Sequence, residues 1–263
     1  MVKIELEFFS VALKKNARCI VLLPSLSPQE YLDGENNSYL NDSVKFKTLY
    51  LLHGSYGGYN DWPLNTNITT YIEKYNLAVV MPNGENSGYN NTSSGDFLKY
   101  ISKELPNYLE TMFPLSSSKE NRFIAGLSMG GYGAAYIALK NPTVFSFCAV
   151  LSGCVDFYKI LYGNTSYADK MSENYKRQFD SYIEKGCNLY SAMELNIKEN
   201  NKDVKFFFTS GDNDLFVDEI MKFANKLEEN GYNVKKQIAP GVHDWIYWNE
   251  HIKDALKFFP LID

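Results

Sequence analysis

The sequence predicts an α/β fold, with a mostly parallel central sheet that helices flank on both faces. Short apolar runs alternate along the chain with longer amphipathic segments, which is the pattern of strands joined by helical crossovers. Neither an internal repeat nor a long linker interrupts this alternation. The hydrophobic fraction of 45% is enough to fill a sizeable core. We therefore expect residues 1–263 to form a single domain.

The first two strands are expected to pair antiparallel, and the polar stretch at 27–42 is predicted to be a loop. The segment 97–112 carries apolar residues at helical spacing, and Pro106 within it predicts a kink or a restart. The predicted strands are 3–13, 19–23, 47–52, 77–81, 122–127, 146–151, 205–209 and 234–238, and the predicted helices are 68–75, 97–112, 129–140, 216–229 and 246–259.

One segment, 156–203, breaks this alternation because it is long, polar and helical only in places. Loops of such length in compact domains are usually functional. We expect an insertion here, a small cap or lid over the C-terminal edge of the sheet. Its aromatic side chains either line a substrate pocket or pack the insertion onto the sheet. They are Phe157, Tyr158, Tyr162, Tyr167, Tyr175, Phe179, Tyr182 and Tyr190.

Charge and hydropathy exclude several classes of partner. The net charge is −5 and no run is rich in Lys or Arg, which argues against nucleic acid. No stretch approaches the roughly 18 apolar residues of a membrane span. Residues 1–15 alternate apolar and charged side chains at first, unlike a signal peptide. We therefore expect a cytoplasmic protein without a membrane partner.

The cysteines and histidines do not predict a metal site. Cys19, Cys148, Cys154 and Cys187 form no C-x-x-C pair, and with the three histidines they make no zinc spacing. Buried, reduced thiols are the expected state. We expect no metal and no cofactor, and the sequence leaves a homo-oligomer open.

The most specific motif is GLSMG at 126–130. It lies between the predicted strand 122–127 and the predicted helix 129–140, which is the setting of a G-x-S-x-G nucleophile elbow. Small flanking residues let the strand and the helix approach closely, and the helix N-terminus presents N–H groups beside the serine. The motif predicts Ser128 as a nucleophile in an α/β-hydrolase fold.

A serine nucleophile needs a base to take its proton, and the chain has three histidines. His53 precedes the serine in a glycine-rich loop. His251 falls in the last helix, where we expect it to be solvated. His243 follows the last strand and satisfies the chain order of serine, acid and histidine. We therefore predict His243 as the general base.

Two aspartates compete to orient this histidine, since the strand 205–209 is followed by both Asp212 and Asp214. The usual loop places the acid three residues after the glycine, here Gly211, which favours Asp214 and leaves Asp212 to cap the turn. The carboxylate would fix the imidazole tautomer and stabilise the imidazolium. The loop lacks the glycine and the distant glutamate of an EF-hand, so a calcium site is rejected.

Acyl transfer also needs N–H donors for the developing oxyanion. We predict the N–H of Met129, next to the nucleophile, and the N–H of Ser55, in the glycine-rich loop after the strand 47–52. Gly54 would let the chain turn the Ser55 N–H inward. This loop is not a P-loop, because no Gly-Lys-Ser/Thr follows it.

Four sequence blocks together resemble one family. They are LLHG at 51–54 with Gly57 and Trp62, MPN at 81–83 with Tyr89, AGLSMGGYGA at 125–134, and Gly241-x-His243-x-Trp245 with Trp248. They are similar to the esterase family of α/β-hydrolases that includes esterase D (S-formylglutathione hydrolase), feruloyl and acetyl-xylan esterases and, most similar, the bacterial tributyrin esterases.

The resemblance implies hydrolysis of short-chain acyl esters, with Ser128, Asp214 and His243 as the triad. One departure is that Gly-Leu precedes the serine, where S-formylglutathione hydrolases tend to have Gly-His. The first hypothesis is thus a serine carboxylesterase acting on a small-molecule ester, an acylated sugar included. The alternatives are an S-formylglutathione-type thioesterase, a feruloyl or acetyl-xylan-type carbohydrate esterase and, from another class, a non-catalytic binding module.

Overall fold

A mostly parallel β-sheet forms the centre of the molecule. The protein is described by a computed structural model over residues 1–34, 44–155, 172–174, 176–177 and 188–261. The strands in these ranges are β1 (Val2–Ser10), β2 (Lys15–Leu23), β3 (Lys47–Leu52), β4 (Leu77–Pro82), β5 (Asn91–Thr92), β6 (Gly95–Asp96), β7 (Arg122–Leu127), β8 (Phe147–Leu151), β9 (Lys205–Gly211) and β10 (Val234–Ala239).

Helices connect most of these strands. Those in the described ranges are α1 (Pro28–Leu32), α2 (Asp61–Asn65), α3 (Ile68–Ile72), α4 (Phe97–Lys99), α5 (Leu105–Met112), α6 (Met129–Lys140), α7 (Leu189–Lys198), α8 (Val217–Glu229) and α9 (Trp245–Phe258). A π-helical turn at Tyr100–Glu104 and a 3-10 turn at Lys119–Asn121 complete the set.

The main sheet has the strand order β1-β2-β4-β3-β7-β8-β9-β10 within the described residues. Every neighbouring pair from β4 to β10 is parallel. Only the β1–β2 and β2–β4 pairs are antiparallel. This confirms the mostly parallel sheet and the antiparallel N-terminal pair that the sequence predicts. In the parallel part, all strands end at one edge, so the loops that follow them meet there.

Both faces of the sheet are covered. Along β3, Tyr50 and Leu52 belong to a core cluster on one face that includes residues of α6 and α8, and Leu49 and Leu51 belong to a cluster on the other face that includes residues of α3 and α9. All four side chains are fully buried. Burial on both faces explains why the strands are continuous apolar runs rather than alternating ones.

The predicted loop at 27–42 is wrong at its start, because residues 28–32 form helix α1. Ser27 accepts a hydrogen bond from the Glu30 N–H, and the Glu30 carboxylate accepts one from the Ser27 N–H. This capping box, with Pro28 in the first turn, starts a helix within a polar stretch. Residues 35–42 of the predicted loop lie outside the described part of the chain.

The predicted helix at 97–112 is interrupted, as Pro106 indicated. It runs through the π-helical turn and restarts at Leu105, so that Pro106 stands in the first turn of α5, where its missing N–H is not needed. The predicted strand 3–13 ends at Ser10, because the Glu104 carboxylate binds the next turn by accepting from the N–H groups of Val11 and Ala12 at 2.7 and 3.2 Å.

Candidate active site

Ser128 stands between β7 and α6 in a strained backbone conformation. Its φ of 52° and ψ of −119° are rarely adopted by residues other than glycine. A Cβ on Gly126 would lie 2.3 Å from the Gly130 carbonyl oxygen, and one on Gly130 would lie 2.5 Å from the His53 carbonyl oxygen. The glycines therefore let the strand and the helix close tightly, and the turn holds the serine at the sheet edge.

His243 joins Ser128 to Asp214 by two hydrogen bonds. The imidazole Nε2 is 3.0 Å from Ser128 Oγ, and Nδ1 is 2.9 Å from Asp214 Oδ2. A carboxylate only accepts, so Nδ1 carries the proton and Nε2 accepts from the serine hydroxyl. The three residues follow β7, β9 and β10, which end at the same sheet edge. They come together although 115 residues separate Ser128 from His243.

Asp214 is buried, and its carboxylate accepts from at least two donors. The N–H of Phe216 donates to Oδ1 at 2.9 Å, and His243 donates to Oδ2. Burial by itself would raise the pKa of this carboxyl, but the hydrogen bond and charge of His243 and the Phe216 N–H outweigh it and lower the pKa below its usual value. Asp214 is therefore ionised at neutral pH, and its carboxylate can accept the Nδ1 proton of His243.

Asp212 lies apart from the histidine. It is exposed, and its Oδ1 accepts from the Gly241 N–H at 3.0 Å and from the Asn213 side chain at 2.8 Å. The Gly241 N–H lowers the pKa of the Asp212 carboxyl. Asp212 therefore ties its own loop to the loop that carries His243, while Asp214 makes the contact with the imidazole.

Two aromatic side chains enclose the imidazole of His243. The ring of Phe216 is 5.0 Å away at an interplanar angle of 88°, and the ring of Trp248 is 4.9 Å away at 89°. Both aromatic residues are buried. They restrict rotation of the imidazole and favour the plane in which both hydrogen bonds form. The sequence did not predict this role for Phe216, and Trp248 stood out there only as part of a motif.

The two predicted oxyanion donors belong to segments on either side of Ser128. Met129 is the first residue of α6, where a backbone N–H has no partner within the helix. Ser55 follows Gly54, and a Cβ on Gly54 would lie 3.6 Å from Ser128 Cβ. The loop after β3 therefore lies directly against the serine.

The other two histidines have structural contacts. His53 is buried beneath the loop after β4, where its Nε2 accepts from the Gly84 N–H. The expectation of a solvated His251 is wrong, since its side chain is only 13% exposed. Its Nδ1 is 2.9 Å from Asp254 and 3.0 Å from the Gln237 amide, and its ring packs against Tyr247. The inner face of α9 thus holds it near β10.

Exposed apolar side chains lie close in sequence to Ser55, Asp214 and His243. Tyr56, Leu215, Val242 and Ile246 are 65%, 49%, 47% and 81% exposed. We call these four residues the apolar rim. Each lies within three positions of Ser55, Asp214 or His243 in the sequence, and each stands on or beside a loop at the C-terminal edge of the sheet.

Three further features concern metals, thiols and membranes. Cys19 and Cys148 are buried, free thiols, Cys154 is buried as well, and burial raises the pKa of Cys19 to about 12. Cys187 lies outside the described residues. Across the described part of the chain, no three His, Cys, Asp or Glu side chains cluster in a way that could hold a metal ion. None of the helices described there combines the length and apolar character needed to cross a membrane.

The fold and a serine in contact with a histidine–aspartate pair define a class, the serine ester hydrolases of the α/β-hydrolase fold. Comparison with known proteins agrees with this class. A family model described as "Putative esterase" matches residues 10–259. An acetyl esterase of Caldicellulosiruptor saccharolyticus is 31% identical over 98% of both chains. The chain therefore belongs to this esterase family.

Two solved structures from Staphylococcus aureus are similar over nearly the whole chain. The fluorophosphonate-binding serine hydrolase FphF is 26% identical, with a TM-score of 0.81 over 100% of this chain and 99% of that one. An S-formylglutathione hydrolase (FrmB) is also 26% identical, with a TM-score of 0.82 over 98% of each chain. Both similarities extend beyond the elbow motif to the complete fold.

Proposed function

We propose that this esterase is a carboxylesterase that hydrolyses short-chain acyl esters through an acyl-enzyme on Ser128. The observation that carries the proposal is the hydrogen-bonded chain from Ser128 Oγ through His243 to Asp214, at 3.0 and 2.9 Å. The similarity to an acetyl esterase supports a short acyl group. Acetyl to butyryl esters, including acylated sugars, are the proposed substrates.

In the first half of the reaction, Ser128 Oγ attacks the ester carbonyl carbon while His243 Nε2 accepts its proton. The charge that develops on the carbonyl oxygen is stabilised by the N–H groups of Met129 and Ser55. Asp214 stabilises the imidazolium without taking its proton. His243 then gives the proton to the leaving alcohol, and the acyl group remains on the serine.

In the second half, a water molecule gives a proton to His243 and attacks the acyl-enzyme. The same two N–H groups stabilise the second tetrahedral intermediate. Its collapse releases the carboxylic acid and restores the Ser128 hydroxyl with the proton that His243 returns. These reaction steps need no metal and no cofactor.

The proposal is tested with Ser128→Ala. We expect kcat on p-nitrophenyl acetate to fall at least about 10³-fold, since loss of a triad member removes most of the chemistry. The melting temperature should be unchanged or higher, because the side chain is only shortened. Ser94→Ala, at an exposed hairpin position, is the control and should keep wild-type activity. Retention of more than about a tenth of the activity in Ser128→Ala would refute the assignment.

A fluorophosphonate probe gives a second test of the same residue. It should label the wild-type protein on Ser128 and leave Ser128→Ala unlabelled, because the activated serine attacks the phosphorus atom and displaces fluoride. The similarity to the fluorophosphonate-binding hydrolase makes this probe a suitable choice. Labelling at another residue would show that Ser128 is not the nucleophile.

A thioesterase acting on S-formylglutathione is the second candidate, because a hydrolase of that name has the same fold at 26% identity. The same residues would carry the reaction, with a thiol as leaving group. A comparison of kcat/KM for S-formylglutathione and for p-nitrophenyl acetate separates the two. We expect the ester to be preferred, and a preference for the thioester of more than about tenfold would reverse the ranking.

A further inference from the structure

Three hydrogen bonds fasten the loop after β3 to the loop after β4. The Gly84 N–H donates to His53 Nε2 at 2.8 Å, the Tyr56 N–H donates to Asn86 Oδ1 at 2.7 Å, and the Tyr89 hydroxyl donates to the His53 carbonyl at 3.0 Å. His53 takes part in two of them and is 1% exposed. The proposed reaction assigns no task to this buried, titratable side chain.

The contacts of His53 select a single neutral tautomer. An amide N–H only donates, so Nε2, which faces the Gly84 N–H, is the unprotonated acceptor. A carbonyl oxygen only accepts, so Nδ1, which is 2.8 Å from the Gly54 oxygen, carries the proton. Burial lowers the pKa of His53, against the opposing effects of the Gly54 carbonyl, Asp61 and Asn83. The ring therefore stays neutral while it donates to Gly54.

This hydrogen bond acts on the peptide that contains the Ser55 N–H. The described chain has no cis peptide bond, so the Gly54 carbonyl and the Ser55 N–H point in opposite directions from one planar unit. A proton donor that holds the carbonyl on one side therefore also fixes the direction of the N–H. Gly54 lies against Ser128, where a Cβ on it would be 3.6 Å from the Ser128 Cβ.

We propose that His53 is a positioning residue for the oxyanion site: its Nδ1–H holds the Gly54 carbonyl so that the Ser55 N–H faces the developing oxyanion. The inference rests on the proposed function of Ser128 and Ser55. A second donor, the Gly57 N–H, reaches the same carbonyl at 3.3 Å. The His53 bond is shorter by half an ångström and is the stronger of the two.

Two substitutions separate positioning from packing, because each keeps one of the two side-chain hydrogen bonds. In His53→Asn, the amide nitrogen stands near the place of Nδ1 and can still donate to Gly54, but the Gly84 N–H loses its acceptor. In His53→Gln, the amide oxygen stands near the place of Nε2 and can still accept from Gly84, but the donor to Gly54 is lost.

We expect the two variants to respond in opposite ways. His53→Gln should keep most of its melting temperature, while kcat falls about tenfold to a hundredfold at a nearly unchanged KM, less than the loss of an oxyanion donor itself. His53→Asn should keep kcat within about threefold and lose more of its melting temperature, since it leaves a buried N–H unpaired. If kcat followed the melting temperature in both variants, or if His53→Gln kept full activity, the inference would be wrong.

The wild-type protein provides a test that needs no variant and so cannot be affected by misfolding of a variant. In a ¹⁵N–¹H NMR spectrum of the histidine side chains, His53 should show a protonated Nδ1 and an unprotonated Nε2, without change between pH 5.5 and pH 9 (about one unit below the ordinary histidine pKa and well above it). An Nε2–H tautomer, or a titration of His53 in that range, would overturn the inference.

Failure of the inference and failure of the proposed function are distinguishable. Activity that survives Ser128→Ala would refute the proposed function, whatever activity the His53 variants have. Activity that requires Ser128 but is equal in His53→Asn and His53→Gln would leave the proposed function intact and remove only the positioning role.

Discussion

At the scale of single residues, the direction of each hydrogen bond decides which group can do which task. His243 can accept a proton from Ser128 only while its other nitrogen donates to Asp214. That arrangement requires a carboxylate, since a neutral amide could donate to Nδ1 and stabilise the opposite tautomer. The proposed reaction therefore requires an ionised Asp214, and the lowered pKa of this carboxyl favours that state.

We predict that Asp214→Asn reduces kcat by about 10³- to 10⁴-fold, because the amide would favour the wrong tautomer of His243. Asp212→Asn should cost less than about tenfold, since its side-chain oxygen can still accept from Gly241. Steady-state kinetics on p-nitrophenyl acetate measure both. The opposite ranking would transfer the orienting role to Asp212.

At the scale of elements, the approach of α6 to the ends of β3 and β7 shapes the elbow. Gly126 faces the backbone of Gly130, and Gly130 in turn faces the carbonyls of Leu52 and His53. No side chain fits between them. The same contact brings the loop after β3 beside Ser128, so the packing of one helix serves both the nucleophile and the proposed oxyanion site.

We predict that Gly130→Ala lowers the free energy of unfolding by about 1–3 kcal/mol, because the added methyl group would be 2.5 Å from a backbone oxygen that cannot move freely. The loss should occur although alanine is the better helix former. The matched control is Gly58→Ala, whose methyl group would meet nothing nearer than 3.9 Å. Urea denaturation measures both, and equal stability of the two variants would contradict this account of the elbow.

At the scale of the whole molecule, acyl specificity concerns the surfaces next to the loops at the C-terminal edge of the sheet. The residues of the apolar rim lie on or next to the loops that carry Ser55, Asp214 and His243, and their side chains are exposed. The predicted insertion at 156–203 lies mostly outside the described residues; α7, within it, packs through Tyr190 on Phe223 of α8. We therefore propose two determinants of acyl specificity, the rim and the insertion.

We predict that Ile246→Ser combined with Leu215→Ser lowers the ratio of kcat/KM for butyryl over acetyl esters by about threefold to tenfold, because apolar contacts distinguish methylene groups by amounts of this order. The melting temperature should barely change, as both side chains are exposed. Phe9→Ser is the control, since Phe9 is 64% exposed on β1, four strands from β7. An unchanged ratio would assign acyl specificity to the insertion instead.

The sequence by itself determined the features that depend on neighbouring residues. Apolar runs predicted the strands β3 and β7 to the residue, helical spacing and Pro106 predicted an interrupted helix, and the glycines of GLSMG predicted a tight turn at Ser128. The order of serine, acid and histidine along the chain made His243 the best base. Each of these signals is local, because strand and helix periods and steric limits on glycine act within a few residues.

Only the tertiary structure decided which aspartate contacts His243 and which side chains enclose its imidazole. Asp212 and Asp214 are two residues apart in one loop, so their difference arises from how β9 and β10 align and direct one carboxylate inward and the other to solvent. The Phe216–Trp248 enclosure and the contact of His53 with Gly84 likewise join segments distant in sequence. Hydrogen bonds and packing act over a few ångströms in space, and a single sequence does not specify which distant residues come within that range.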